Sequence, residues 1–161
     1  HWTWKSSLRR ATQAAPMSEH KAPTEQEVID YIRETDPRTV HQTLGMRITR
    51  FAAEGCVVET EVSERLYQHA GVVHGGIYAL MAESAASTAA AFAVDVSKFR
   101  VAGQELSASH VRPATGGALR AEARLVHRGK SSLVYVVDVD NDGKLVSTCR
   151  ITMAVRPHAS G

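Results

Sequence analysis

The segment His74-Gly75-Gly76 combines residue types that could act on a substrate oxygen. Glycines at the start of a helix let a ligand approach the backbone closely. The free N–H groups there, at the positive end of the helix dipole, favour an oxygen that develops negative charge. Gly75 N–H is therefore a candidate oxyanion donor, with His74 beside it at the same helix start. A plain tight turn is the alternative interpretation of the two glycines.

One carboxylate follows on the predicted helix. Glu83 is the only charged side chain between residues 75 and 94. An ionised carboxylate taken out of water is costly unless it is paired or solvated, and this helix offers no basic neighbour, so we expect Glu83 to face a cavity. Ser87 lies one turn later on the same face and could hold a water molecule or the carboxylate. A polar stripe on a partly exposed helix is the alternative.

His110 and Arg112 form a second polar pair. Period-two alternation places both side chains on one face of a predicted strand, near its end. A lone histidine is more often structural than catalytic, so residue type alone leaves the role of His110 open. The chain has no zinc-ligand spacing, P-loop, dinucleotide fingerprint or Gly-x-Ser-x-Gly elbow. We therefore expect neither a metal nor a cofactor.

The elements that must position these residues begin with two predicted helices. Residues 75 to 94 are alanine-rich and contain no proline, which predicts a helix. Its nearly uncharged circumference predicts burial on most sides, whereas its Gly, Ser and Thr content and its central carboxylate make it a poor transmembrane segment. Nearer the N-terminus, Thr24 followed by Glu27 has capping-box spacing and predicts a short amphipathic helix that closes at Pro37.

The remaining elements are predicted strands. Period-two patterns indicate a hairpin over residues 44 to 62, and further strands over residues 99 to 112, 118 to 128, 131 to 140 and 144 to 155. The turn Asn141-Asp-Gly143 is a strong hairpin signal. A buried helix between a hairpin and a four-stranded meander predicts an α+β domain, with a curved antiparallel sheet wrapped around one long central helix.

Composition limits the number of domains and the partners. The 161 residues, 43% of them hydrophobic, suffice for one domain with a substantial core.

The charge of the chain is unevenly distributed. Residues 1–16 hold three basic side chains and no acidic one. Since the whole chain has a formal charge of +2, the remaining residues sum to −1, which argues against a nucleic-acid partner. We interpret residues 1–16 as a disordered or non-native tail and residues 17–161 as the domain; a transit peptide or membrane-surface helix is the alternative for the tail. Two widely spaced cysteines without an apolar leader favour the cytoplasm.

Several motifs occur in a characteristic order along the chain: Gln68, His74-Gly75-Gly76, Ala82-Glu83-Ser84 with Ser87, Arg112-Pro113, His127-Arg128-Gly129, and Cys-Arg-Ile-Thr-Met-Ala-Val over residues 149 to 155. From about residue 44 to residue 155, the chain resembles the hotdog-fold thioesterases that act on 4-hydroxybenzoyl-CoA and 1,4-dihydroxy-2-naphthoyl-CoA. These belong to the wider group related to the phenylacetate-pathway thioesterase. The resemblance implies an acyl-CoA thioesterase, and we favour an aryl-CoA substrate.

The resemblance also implies a role for each candidate catalytic residue. Glu83 would be the nucleophile or the general base, and Gly75 N–H would polarise the thioester carbonyl with His74 beside it. Gln68 would orient the thioester or the attacking water, and Ser87 would assist the carboxylate.

The candidate substrate-binding residues follow from the same resemblance. His110 matches a histidine that only part of the family has. Arg112, Arg128, Lys130 and Ser131 fall where family members contact the nucleotide end of CoA. A non-catalytic hotdog domain that binds acyl-CoA is the alternative function. A hotdog dehydratase is disfavoured because the Asp-x-Asn-Pro-x-His type of segment is absent.

Helix geometry predicts that two chains share each site. Gly75 and Glu83 are eight residues apart, which is about 12 Å along a continuous helix axis. One thioester cannot contact both, so Glu83 must come from a second chain across a two-fold axis. This agrees with the family, whose sites are shared across a dimer, and we expect homodimers that assemble into a homotetramer.

Overall fold

The computed structural model describes residues 24–158; the predicted tail, residues 1–16, lies outside them. Helix α1 spans Glu25–Thr35. The predicted capping box is confirmed, because Thr24 Oγ1 accepts from Glu27 N–H at 3.3 Å while the Glu27 carboxylate accepts from Thr24 N–H at 2.7 Å. A single 3-10 turn, Asp36–Arg38, leads to the short helix α2, Val40–Leu44.

Six strands and one long helix make up the rest of the described chain. They are β1 (Arg47–Ala52), β2 (Gly55–Glu61), α3 (Gly75–Ala93), β3 (Phe99–His110), β4 (Ala118–Arg128), β5 (Ser132–Asn141) and β6 (Lys144–Pro157), with a 3-10 turn at Glu64–Leu66 before α3. The predicted long helix, the hairpin and the four later strands are all present, within three residues of the predicted ends.

The sheet is antiparallel, with strand order β1-β2-β4-β5-β6-β3. The predicted four-stranded meander is therefore wrong in one respect, because only β4, β5 and β6 follow in order. Strand β3 pairs with β6, from Phe99 opposite Pro157 to His110 opposite Ser147, and forms one edge. Strand β4 joins the hairpin instead, with Cys56 opposite Ala123. Turn signals in a sequence indicate where a strand ends, but they do not indicate which strand it pairs with.

The sheet curls around α3, which forms the centre of the core. Beyond Tyr78 and Met81, the buried residues of the helix are all alanines, and these are fully buried: Ala82, Ala85, Ala86, Ala89 and Ala90. Small side chains let several strands approach one helix closely, which explains the alanine-rich composition. Within residues 24–158, no helix is long and apolar enough to cross a membrane.

Candidate active site

The start of α3 leaves one backbone donor free. His74 is the N-cap residue, and its Nδ1 accepts from Gly76 N–H at 2.8 Å. The first N–H groups of a helix have no intrahelical acceptor, and no acceptor for Gly75 N–H is found among residues 24–158. The histidine cap therefore uses the second N–H and leaves that of Gly75 available at the positive end of the helix.

A pocket of about 320 Å³ opens beside this donor. The His110 ring packs directly on Gly75, because a Cβ atom at Gly75 would lie 2.6 Å from His110 Nε2. The Tyr78 ring also packs against the imidazole, with 5.5 Å between ring centroids. The remaining wall is mostly apolar and consists of Val72, Val73, Val111, Arg112 and Pro113. The structure thus brings together Gly75, His110 and Arg112.

The Glu83 carboxylate lies in a separate, smaller pocket of about 160 Å³. Its side chain is exposed, and its Oε1 packs on Gly103 of β3, in space that a Cβ atom at Gly103 would overlap. The strand is irregular at this point, since the pairing register shifts between Gly103 and Glu105. Glu105 also lines the pocket but pairs with Arg150 at 3.1 Å. Glu83 is exposed and lines this pocket, and its predicted place in a catalytic cavity stays a prediction.

Gln68 and Ser87 take local partners in this structure. Gln68 Oε1 accepts from Ala70 N–H at 2.6 Å and so holds the loop before α3. Ser87 Oγ is 3.9 Å from Met153 Sδ. Neither side chain lines either pocket. Their predicted contacts with substrate and with the carboxylate therefore stay predictions.

The predicted CoA-binding residues fall at two ends of α3. Arg112 lies at the Gly75 end, where its guanidinium donates to Leu145 O. Arg128 lies at the other end, where its Nη1 donates to Ala93 O at 3.0 Å and caps the helix C-terminus. Lys130 and Ser131 follow in the exposed turn between β4 and β5. Arg112 therefore lies near one end of α3, and Arg128 lies near the other; the helix is about 27 Å long.

Two residues of the site were not predicted from the sequence. Gly103 could have been found, because an isolated glycine inside a strand pattern indicates a bulge or a close approach. Ser147, whose Oγ is 3.0 Å from His110 Nδ1, gives no such signal. Among residues 24–158, no three His, Cys, Asp or Glu side chains are arranged to hold a metal ion.

A curved antiparallel sheet wrapped around one buried helix is the hotdog architecture, as predicted. A solved structure of a mutant thioesterase PA1618 from Pseudomonas aeruginosa resembles this chain with a TM-score of 0.77 and 29% sequence identity, over 86% of this chain and 98% of the other.

Sequence relatives define the family. Residues 70–148 match the thioesterase superfamily. The chain is 34% identical over 118 residues to a 1,4-dihydroxy-2-naphthoyl-CoA hydrolase of Listeria monocytogenes, which covers 73% of this chain and 95% of the relative. It is 36% identical over 113 residues to the proofreading thioesterase EntH of Klebsiella pneumoniae, which covers 70% and 82%. The chain belongs to the thioesterase superfamily and is a thioester hydrolase.

Proposed function

We propose that this protein hydrolyses an aryl-CoA or a related acyl-CoA thioester to the free acid and CoA. Glu83 acts as nucleophile or general base, and Gly75 N–H is the oxyanion donor. The observation that carries the proposal is the pairing of these two groups on one helix: an unpaired N–H at its start and, two turns later, a carboxylate in an open pocket.

The chemistry needs no more than these two groups. As general base, the carboxylate takes a proton from water while the water oxygen bonds to the thioester carbon; as nucleophile, it bonds to that carbon itself, and water hydrolyses the resulting anhydride. In both cases the carbonyl oxygen becomes an oxyanion that Gly75 N–H stabilises. The C–S bond then breaks, and CoA leaves as a thiolate, which is a good leaving group and needs no metal.

The distance between the two groups requires a second copy of the chain. Gly75 and Glu83 lie about 12 Å apart along α3, and they line different pockets. Reacting atoms must be about 3–3.5 Å apart. A two-fold dimer with antiparallel α3 helices brings Gly75 of one copy to Glu83 of the other and creates two equivalent sites.

Strand β3 offers a surface for such a dimer. It is the outer strand at one edge of the sheet, and residues 102–105 are exposed beside Glu83. An unpaired strand edge is a template for pairing with another chain. Two copies that meet antiparallel along β3 would extend the sheet and turn the Glu83 pocket toward the partner. We take this dimer as the functional unit and the building block of a tetramer.

The basic residues suit the two ends of a CoA molecule. In the antiparallel dimer, Arg128 of the copy that supplies Glu83 caps the far end of the helix at Ala93 O. Ala93 is ten residues beyond Glu83, about 15 Å along the helix axis. The extended pantetheine arm of CoA spans such a distance, so phosphates could reach Arg128, Lys130 and Ser131. Arg112 lies nearer the thioester, where it lines the pocket of Gly75.

The acyl group is proposed to occupy the pocket beside Gly75. Its wall combines the Tyr78 ring with Val72, Val111 and Pro113, and rings and aliphatic side chains favour a flat apolar group. The Listeria relative, named as a hydrolase of a naphthoyl-CoA, supports an aryl substrate. We place the reaction in the cytoplasm, where free thiols persist; Cys56 and Cys149 are both free and buried.

The test is release of free thiol from benzoyl-, naphthoyl-, phenylacetyl- and fatty acyl-CoA. We expect aryl esters to give the highest kcat/KM. Glu83→Gln should lower kcat at least about a hundredfold, the lower end of what a positioned base contributes. Glu61→Gln makes the same chemical change on an exposed residue at the end of β2 and should leave kcat unchanged. Undiminished turnover in Glu83→Gln would refute its catalytic role, and a wild-type protein that cleaves none of the esters would refute the substrate class.

A further inference from the structure

Ser147 is an unusual residue for the interior of this fold. Apart from tyrosine and cysteine side chains, Thr60 and Ser147 are the only buried polar or charged side chains among residues 24–158. The hydroxyl of Thr60 lies 3.1 Å from both Leu44 O and Gly45 O and so serves the backbone. Ser147 is fully buried, yet the nearest partner of its hydroxyl is a ring nitrogen of His110, at 3.0 Å.

The contacts of Ser147 favour one position for the His110 proton. Its single hydroxyl proton can go to His110 Nδ1 at 3.0 Å or to Ser109 O at 3.3 Å, and the first contact is the shorter. The oxygen can in turn accept from Cys149, whose Sγ is 3.7 Å away. Burial raises the pKa of the Cys149 thiol, so the sulfur keeps its proton and can donate. When the Ser147 hydroxyl donates to Nδ1, the nearer of its two acceptors, its oxygen accepts from Cys149 and the imidazole proton is on Nε2.

The other ring nitrogen of His110, Nε2, faces Gly75. Nε2 is the ring atom nearest to the missing Cβ of Gly75, and no partner for it is found among residues 24–158. The Tyr78 ring lies against the imidazole as well, so ring rotation is restricted from that side. A proton on Nε2 therefore lies next to Gly75 N–H, at the mouth of the same pocket.

We infer that Ser147 is a positioning residue that holds His110 in the tautomer with the proton on Nε2, so that Nε2–H and Gly75 N–H donate to one substrate oxygen. The inference rests on the proposed function, because that oxygen is the carbonyl oxygen of the thioester. The inference adds a second hydrogen-bond donor to the oxyanion site. It also gives the buried Ser147 hydroxyl a function, which is to keep that donor protonated. With the opposite tautomer, a lone pair on Nε2 would repel the developing oxyanion.

The tautomer can be measured without any substrate. In the full-length wild-type protein labelled with ¹⁵N-histidine, long-range ¹H–¹⁵N correlation spectra distinguish the protonated ring nitrogen of each neutral histidine. The His110 signals are identified by their disappearance in His110→Phe. At a pH where imidazole is neutral, we expect the proton on Nε2. A proton on Nδ1 would overturn the inference, even if the protein proves to have no thioesterase activity.

A double-mutant cycle measures the functional link. His110→Phe keeps a ring and removes the donor, so kcat should fall about a hundredfold with little change in KM, as for the loss of one oxyanion donor. Ser147→Ala should lower kcat about tenfold in the wild-type background and should have no further effect in the His110→Phe background. Thr60→Val deletes the buried threonine hydroxyl and should lower the melting temperature without lowering kcat.

The cycle separates a positioning role from a packing role. If Ser147→Ala lowers kcat by the same factor in both backgrounds, the hydroxyl acts on the fold and not through His110, and the inference is wrong. If wild-type protein cleaves no acyl-CoA ester, the proposed function fails by itself, and the spectra still decide the tautomer. If Ser147→Ala does not fold, the spectra of the wild type alone decide.

Discussion

Gly103→Ala tests whether β3 places the Glu83 carboxylate, the proposed base or nucleophile. The backbone at Gly103 has a φ that other residues can adopt, because it is not among the positive-φ glycines. The added methyl group would overlap Glu83 Oε1. The obstructing atom is the end of a flexible, exposed side chain, so the carboxylate rather than the strand should move.

The size of the effect follows from the geometry. Restoring an ordinary carbon–oxygen contact requires a shift of Glu83 Oε1 of about 1 Å. A misplacement of that size can cost about 10- to 100-fold in rate, which corresponds to about 1.4–2.7 kcal/mol of activation free energy. The free energy of unfolding should change by less than about 1 kcal/mol, because alanine also restricts the unfolded chain.

The assay is kcat for the best acyl-CoA ester, with melting temperature and dimer mass measured alongside. Gly116→Ala is the matched control, since a Cβ atom there would meet nothing within 4 Å, and φ is not positive. We expect kcat to fall only in Gly103→Ala, with both variants folded and dimeric. Equal kcat in the two variants would show that contact with Gly103 does not set the working position of Glu83.

Three further predictions follow from other contacts. Heterodimers of Glu83→Ala with a Gln68→Ala, His74→Ala double variant should regain at most about half of wild-type activity, because symmetry leaves one intact site; inactive heterodimers would place each site within one chain. Thr24→Ala should lower the free energy of unfolding by about 1 kcal/mol in urea titrations through loss of the capping box; an unchanged midpoint would show that the capping box contributes nothing to stability. Burial lowers the pKa of His41 in the folded chain, and the charge of Asp36 opposes this in part. Below about pH 6.5 the unfolded chain therefore binds more protons than the folded chain, and the free energy of unfolding falls as pH falls. Between about pH 6.5 and 5, His41→Gln should lose less stability than wild type.

Local signals determined the elements of this fold. The capping box at Thr24, the alanine-rich run of α3 and the Asn141-Asp-Gly143 turn act over a few residues, so they are legible in the sequence. The isolated charge at Glu83 predicted that this carboxylate faces a cavity, an argument that needed only the residue and its helical neighbours.

Long-range pairing was decided by the tertiary structure. Strand β3 could have paired with β4, its neighbour in sequence, but it lies beside β6. That choice depends on which sheet edge remains free after the other strands have paired. The same pairing sets His110 opposite Ser147, 37 residues apart in the chain.

The sequence by itself determined the chemical groups, and the tertiary structure determined their partners. Gly75 and Glu83 were identifiable as candidates because their residue types and helical spacing suit the proposed chemistry. Their assignment to two separate pockets, the contact of Glu83 with Gly103 and the hydrogen bond behind His110 exist only because a curved sheet brings distant segments within a few ångströms of α3. Contacts of this kind depend on packing geometry, which no local pattern of residues encodes.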